Sequence, residues 1–99
     1  HLFENCAFLE LRRKYKEIYY FKADGECDFI VKEGKKIKMV LQVCTEVNFD
    51  NLQRETGGLI EALDFFKLKV GTIVTLKQRD TLKLGGKTLE LVPAWEWFQ

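Results

Sequence analysis

Segment 36–45 (KIKMVLQVCT) constrains this chain most, because its middle, Met39-Val40-Leu41, is apolar on both faces of an extended strand. A strand of that kind needs cover on both sides. It belongs at the centre of a sheet flanked by helices rather than at a solvated edge. The preceding segments fit such a sheet. Residues 17–22 (EIYYFK) are aromatic and β-branched and predict a strand, and Ala23-Asp24-Gly25 predicts a turn. Residues 26–33 (ECDFIVKE) predict a second strand, with Cys27, Phe29 and Val31 on one face and Asp28 and Ile30 on the other. Gly34 and its lysine neighbours turn the chain into segment 36–45.

Two helices are predicted around this meander. Residues 2–14 (LFENCAFLELRRK) lack Gly and Pro, and Phe3, Cys6, Ala7, Leu9 and Leu11 form a face broad enough to expect a largely buried helix. Residues 50–67 carry Leu52, Leu59, Ile60, Leu63 and Phe66 at helical spacing, with Asp50 as the expected N-cap. Gly57-Gly58 inside that helix costs roughly 1 kcal/mol per glycine and marks a kink or a close approach. Residues 71–76 predict a buried strand. Residues 81–92 alternate around Gly85-Gly86 and predict a hairpin. Pro93 opens a last helical turn. The expected fold is α/β, a mixed sheet between helices in the order α-β-β-β-α-β followed by a β-hairpin. The second helix carries a right-handed crossover to a parallel fourth strand.

At 99 residues the chain is expected to be one domain, 1–99. Sixteen Lys+Arg against fifteen Asp+Glu leave a net charge of +1, which argues against a uniformly basic nucleic-acid binder but not against a local basic patch. No apolar run approaches the ~18 residues of a membrane span. Cys6, Cys27 and Cys44 are odd in number and separated by 20 and 16 residues. That fits neither a disulfide framework nor a tetrahedral metal site, and points to a reducing cytoplasm. The chain enters its first helix directly from His1, so a C-terminal piece of a longer protein is expected.

The chemistry-bearing candidates are Glu4, Asp28, Gln42 and Cys44. An aspartate within Cys27-Asp28-Phe29-Ile30-Val31 is costly to bury without a partner. Gln42 and Cys44 lie two apart on one strand face, which hairpin pairing would let Asp28 share. Glu4 could approach from the first helix. Glu10 lies about 240° around that helix from Glu4 and cannot face the same point. Acids from a helix and adjacent strands are how a Mg²⁺ site for phosphodiester hydrolysis is assembled, so Glu4 and Asp28 are the candidate metal ligands.

These residues carry a family resemblance. Glu4 in the first helix, Gly25-Glu26-Cys27-Asp28-Phe29, and Gln42-Val43-Cys44 where E-x-K would stand are similar to the PD-(D/E)-x-K restriction-endonuclease-like superfamily. More narrowly, Leu2-Phe3-Glu4-Asn5, Phe8-Leu9-Glu10-Leu11-Arg12-Arg13, Ile18-Tyr19-Tyr20 and Pro93-Ala94-Trp95-Glu96-Trp97 resemble the C-terminal domain of prokaryotic, especially archaeal, AAA-type ATPases. The resemblance implies acids at Glu4 and Asp28. It also implies a third acid replaced by Gln42 and a catalytic lysine replaced by Cys44. An uncharged amide and a thiol with an ordinary pKa of ~8.5 supply neither the charge for Mg²⁺ nor the cation for the scissile phosphate.

The implied function is therefore a nuclease-like accessory domain of a cytoplasmic ATP-binding protein, with a degenerate site, that binds nucleic acid or a neighbouring domain. An active Mg²⁺-dependent endonuclease or resolvase and a purely protein-binding domain are the alternatives. Arg12, Arg13, Lys36 and Arg54 are the expected nucleic-acid contacts, taken with Lys14, Lys16, Lys32, Lys35 and Lys38 as a group beside the site. A solvated surface is the plainer account of these charges. Burial in the core is the plainer account of Cys44. The ATPase domain of a parent chain is an expected partner, and a homodimer stays open.

Overall fold

The computed structural model describes residues 2–22 and 26–99, and the side chains of residues 22–28 lie outside that description. The elements are α1 (Leu2–Lys14), β1 (Glu17–Lys22), β2 (Glu26–Glu33), β3 (Lys36–Val43), α2 (Leu52–Phe65), β4 (Val70–Thr75), β5 (Asp80–Leu84), β6 (Lys87–Pro93) and α3 (Ala94–Trp97). The six strands form one mixed sheet in the order β1-β2-β3-β4-β6-β5. β1, β2 and β3 are an antiparallel meander, β4 runs parallel to β3 and to β6, and β5 closes the far edge antiparallel to β6. The hairpin turns at Gly85 and Gly86, both with positive φ (57° and 79°), the conformation a two-residue hairpin loop requires. Its second strand, not its first, lies against β4.

β3 divides the molecule into two cores. Leu41 and Val43 face α1 and α3, where they pack with Ala7, Leu11, Phe29, Val31, Val74 and Ala94. Val40 faces α2 and packs with Ile30, Leu59, Leu63, Ile73, Leu89 and Leu91. Strand alternation thus sends the continuous apolar run to both sides, as a central strand demands.

Several expectations are corrected in detail. α1 buries only Ala7 and Leu11 fully, while Cys6, Leu2 and Leu9 are exposed. A helix on one sheet face buries only a narrow stripe, so the rest of the broad apolar face stays at the surface. β3 ends at Val43, before Cys44. Asp50 is not the N-cap of α2. Instead Asn48 and Asn51 exchange hydrogen bonds: the Asn51 backbone N–H donates to Asn48 Oδ1 (3.1 Å) and the Asn48 N–H to Asn51 Oδ1 (2.9 Å). These bonds close the turn that precedes the helix; the N-cap itself is Asn51, which makes no side-chain cap bond. Within α2, Gly57 is exposed and has no neighbour near its Cα hydrogen, whereas Gly58 is buried.

The close approach lies at Gly71 instead. A Cβ there would sit 3.0 Å from Leu59 Cγ and 3.1 Å from both its methyls, so this glycine lets α2 rest directly on β4. Gly71→Ala should destabilise the fold by about 1–3 kcal/mol through overpacking, and Leu59→Ala by about 2–5 kcal/mol through a cavity. The cost of Gly71→Ala should largely vanish in the Leu59→Ala background. Urea unfolding of the four proteins measures this, and simple additivity would refute the contact.

Candidate functional site

The carboxyl ends of β3 and β4 are where an open sheet of this kind presents a crevice, because the chain leaves the sheet there and its loops diverge. Here the two loops are tied together. Gln78 accepts from the Val47 N–H at 2.7 Å and donates to the Val47 carbonyl at 2.8 Å, while its own backbone exchanges two 2.9 Å bonds with the Thr75 hydroxyl. The loop after β3 is thereby held firm. It forms one wall of a pocket of about 300 Å³, lined among others by Glu4, Cys44, Thr45, Arg54 and Glu55.

Three of the sequence-derived candidates, Glu4, Cys44 and Arg54, meet in this pocket. Glu4 arrives from the first turn of α1 and is half-buried. Gln42 lies directly behind the pocket on the α2 face and is 1% exposed. Its Nε2 donates to Glu55 Oε1 at 2.5 Å, a bond between two buried side chains. Glu55 Oε2 accepts from Arg54 Nε at 3.1 Å. Gln42 Oε1 is buried and has no hydrogen-bond partner among the described residues. Asp28 lies in β2, one residue before Phe29, which pairs with Leu41, and its side chain falls outside the described residues.

Glu55 is the functional residue that sequence inspection missed. A first-turn acid of a helix is ordinarily a solvated dipole partner, and only the sheet register reveals that it faces Gln42. A usable signal was present in the sequence: Glu55 and Thr56 begin the face that continues at Leu59, Ala62 and Leu63, so an acid heads a buried stripe.

The Cys44 thiol is pushed up to about 11 from an ordinary 9.0, first by burial and then by the negative charge of Glu55. It donates to the Glu46 carbonyl at 3.2 Å. It is a neutral donor at physiological pH, not a thiolate and not a stand-in for an ammonium group.

The described residues do not fit Mg²⁺. That cation requires several hard oxygen ligands in near-octahedral array. Here one oxygen of Glu55 is occupied by an amide and the other by a guanidinium, and Cys44 offers sulfur. Among the described residues no group of three His, Cys, Asp or Glu side chains is arranged to hold a metal.

The expected nucleic-acid contacts do not form one track beside this pocket. Arg54 is at the pocket, but Lys36 opens β3 at its opposite end, roughly 23 Å away for an eight-residue strand. Arg13 is paired with Glu10, whose carboxyl it holds below the usual range. Arg12 is exposed on α1. The lysines gather instead at the β2–β3 turn, where a second cavity of about 390 Å³ is lined by Lys14, Lys16 and Lys32 with Glu17 and Glu33. Counting charges along the sequence could not reveal that the pocket and the basic end are separated by the length of β3.

No helix among the described residues is long and apolar enough to cross a membrane. The chain is similar to a protein of Methanocaldococcus jannaschii that is itself uncharacterised, with 31% identity over 108 aligned positions that take in 97% of this chain. It spans only 24% of that protein's length. No family model matches the chain, and no solved structure matches it significantly.

The chemistry of Cys44 is testable. Site-resolved alkylation should be slow at neutral pH and rise steeply only as pH approaches 11, with the exposed Cys6 as internal reference. Glu55→Gln should shift the Cys44 profile to lower pH. Because the folded-state value lies above the ordinary one, the protonated thiol's contribution to stability is full below pH 9 and lost as pH rises towards 11. An unchanged profile in Glu55→Gln would show that the carboxylate does not act on the thiol.

Proposed function

We propose that this chain is a restriction-endonuclease-like domain that has lost cutting chemistry and acts by binding nucleic acid, as an accessory module of a larger ATP-binding protein. One observation carries the loss of chemistry: the Gln42 amide is closed onto the buried Glu55 carboxylate at 2.5 Å, beside a neutral Cys44 thiol. A metal-dependent nuclease needs open carboxylate oxygens for the cation and a positive group near the phosphate. Here both oxygens of Glu55 are engaged, the Arg54 guanidinium is tied to Glu55, and among the described lining residues only Glu4 leaves a carboxylate open. The separation of charges supports binding without cutting, because a strand held at the lysine-rich end of β3 does not bring its phosphodiester to the pocket at the other end.

A second observation favours docking to another module of a longer chain. Leu2 and Leu9, 80% and 67% exposed, flank exposed Cys6 on the outer face of α1. Leu2→Ser with Leu9→Ser should leave nucleic-acid binding intact and weaken only association with such a module.

The chain with Mg²⁺ or Mn²⁺ should leave single-stranded and duplex DNA and RNA uncut. Gln42→Glu places a second carboxylate against Glu55. It should lower the melting temperature at neutral pH, because two like charges then share one buried site. Adding Cys44→Lys and Mn²⁺ should restore the melting temperature and give saturable metal binding by calorimetry. Cleavage by the unmodified chain that is lost in Asp28→Ala would overturn the proposal. A double variant that never binds metal would remove the ancestral-site argument.

A further inference from the structure

The sheet is not fully covered on its α2 side. α2 packs across β2, β3, β4 and β6, and at its C-terminal end Phe65 and Phe66 reach β1, where their rings meet Phe21 at 5.2 and 5.5 Å. Beside that contact the edge of this face is left uncovered near Tyr19, Lys32 and Ile37. It forms a groove of about 330 Å³ between Tyr19, Ile37 and Phe66, mostly apolar and ending at Lys32. Tyr19 and Tyr20 are 50% and 57% exposed on the edge strand.

Among the described residues Lys16 and Lys32 form no ion pair with a carboxylate, whereas Lys14 is paired with Glu10 at 3.7 Å. Lys32 Nζ stands 5.8 Å from the Tyr19 ring centroid, its one close partner among the described residues. Lys32 also lines the neighbouring cavity with Lys14 and Lys16, so an apolar aromatic floor continues into a lysine-lined channel. The acids of that channel are already engaged. Glu17 accepts from the Gly34 N–H at 3.3 Å and from the Tyr19 hydroxyl at 3.5 Å, and Glu33 pairs with Lys38 at 3.4 Å. An exposed aromatic face next to unpaired ammonium groups suits a ligand that alternates flat apolar rings with anions.

We infer that the β1 edge binds single-stranded nucleic acid, a base stacking on Tyr19 against the Phe66 wall and the adjoining phosphates following Lys32 and Lys16. The inference rests on the binding role proposed above and assigns it to a face away from the Glu4–Cys44 pocket. Duplex fits less well: its bases are stacked on one another, whereas Tyr19 needs a free base face, and stacking on an aromatic side chain is tolerant of base identity. An acidic peptide would satisfy the lysines but would leave the aromatic floor unused.

The test uses the 99-residue chain and a fluorescent oligothymidylate, with a duplex of equal length and polyglutamate as competitors. Single strands should bind more tightly than duplex, with affinity falling as salt rises. Tyr19→Ala should weaken binding by about ten- to a hundredfold, and Tyr19→Phe should retain it. Lys32→Ala should weaken binding and lower the salt slope by about one phosphate, while Lys83→Ala, exposed on the opposite edge strand β5, should leave binding unchanged. Both positions are partly exposed, and circular dichroism verifies that the variants fold. Preference for duplex, equal displacement by polyglutamate, or loss in Lys83→Ala with none in Tyr19→Ala would overturn this assignment and leave the binding role standing. Absence of binding to either form of nucleic acid would overturn both.

Discussion

The whole arrangement depends on β3 being buried on both faces. An interior strand cannot hand its backbone groups to water, so it must be paired on both edges, and cannot expose its side chains, so it must be roofed on both sides. β2 and β4 supply the pairing, α1 with α3 one roof and α2 the other. Because β4 must run parallel to β3, the connection has to cross over, and α2 is that crossover. Gln42 breaks the apolar run at the one place where the second roof begins. A buried amide needs a partner, and the first turn of α2 provides it through Glu55. The polar pair thereby sets where α2 starts relative to β3.

That dependence explains why Gln42 and Glu55 have to be considered together. A carboxylate this buried is tolerable only with donors on its oxygens, and it has two, from Gln42 and Arg54. A second acid on β3 would have no counter-charge in the described surroundings. On the restriction-endonuclease reading, a site supplied with metal tolerates several acids together, whereas a site without it must replace one of them by a neutral donor. The glutamine is then a structural repair, and the Cys44 value is raised first by burial and then by the Glu55 charge.

Much of the fold was legible because its segments obey simple periods. Residues 2–14, 17–22 and 26–33 match α1, β1 and β2, since alternation, helical spacing and turn glycines coincide there. What failed were features set by contacts distant in sequence. Leu9 satisfied the helical pattern yet faces solvent, because a pattern shows which residues share a face and not how much of that face a sheet can cover. Gly71 attracted no notice beside Gly57-Gly58, although its lack of a side chain is what admits Leu59. Asp50 has the right side chain for a cap, but the Asn48–Asn51 bonds close the preceding turn and put Asn51 at the N-cap instead. Of the candidate site, Glu4, Cys44 and Arg54 were legible and do converge. Glu55 was not, since an exposed acid and a buried one look alike in a first turn.

The placement of charge carries the remaining step. A chain with net charge near zero can still attract a polyanion if its cations lie together and its acids are engaged elsewhere. At the β2–β3 turn Lys14, Lys16, Lys32, Lys35, Lys36 and Lys38 outnumber Glu17 and Glu33, and Glu33 is itself paired with Lys38, so the balance there is positive. At the far end of β3 the opposite holds: Glu55 takes up Arg54, and Glu4 adds a second acid to the pocket. The two ends of one strand thus have opposite electrostatic character. On the binding role proposed above, a polyanion would be drawn to the lysine-rich end of β3, and the acids of the pocket would disfavour phosphates at the other.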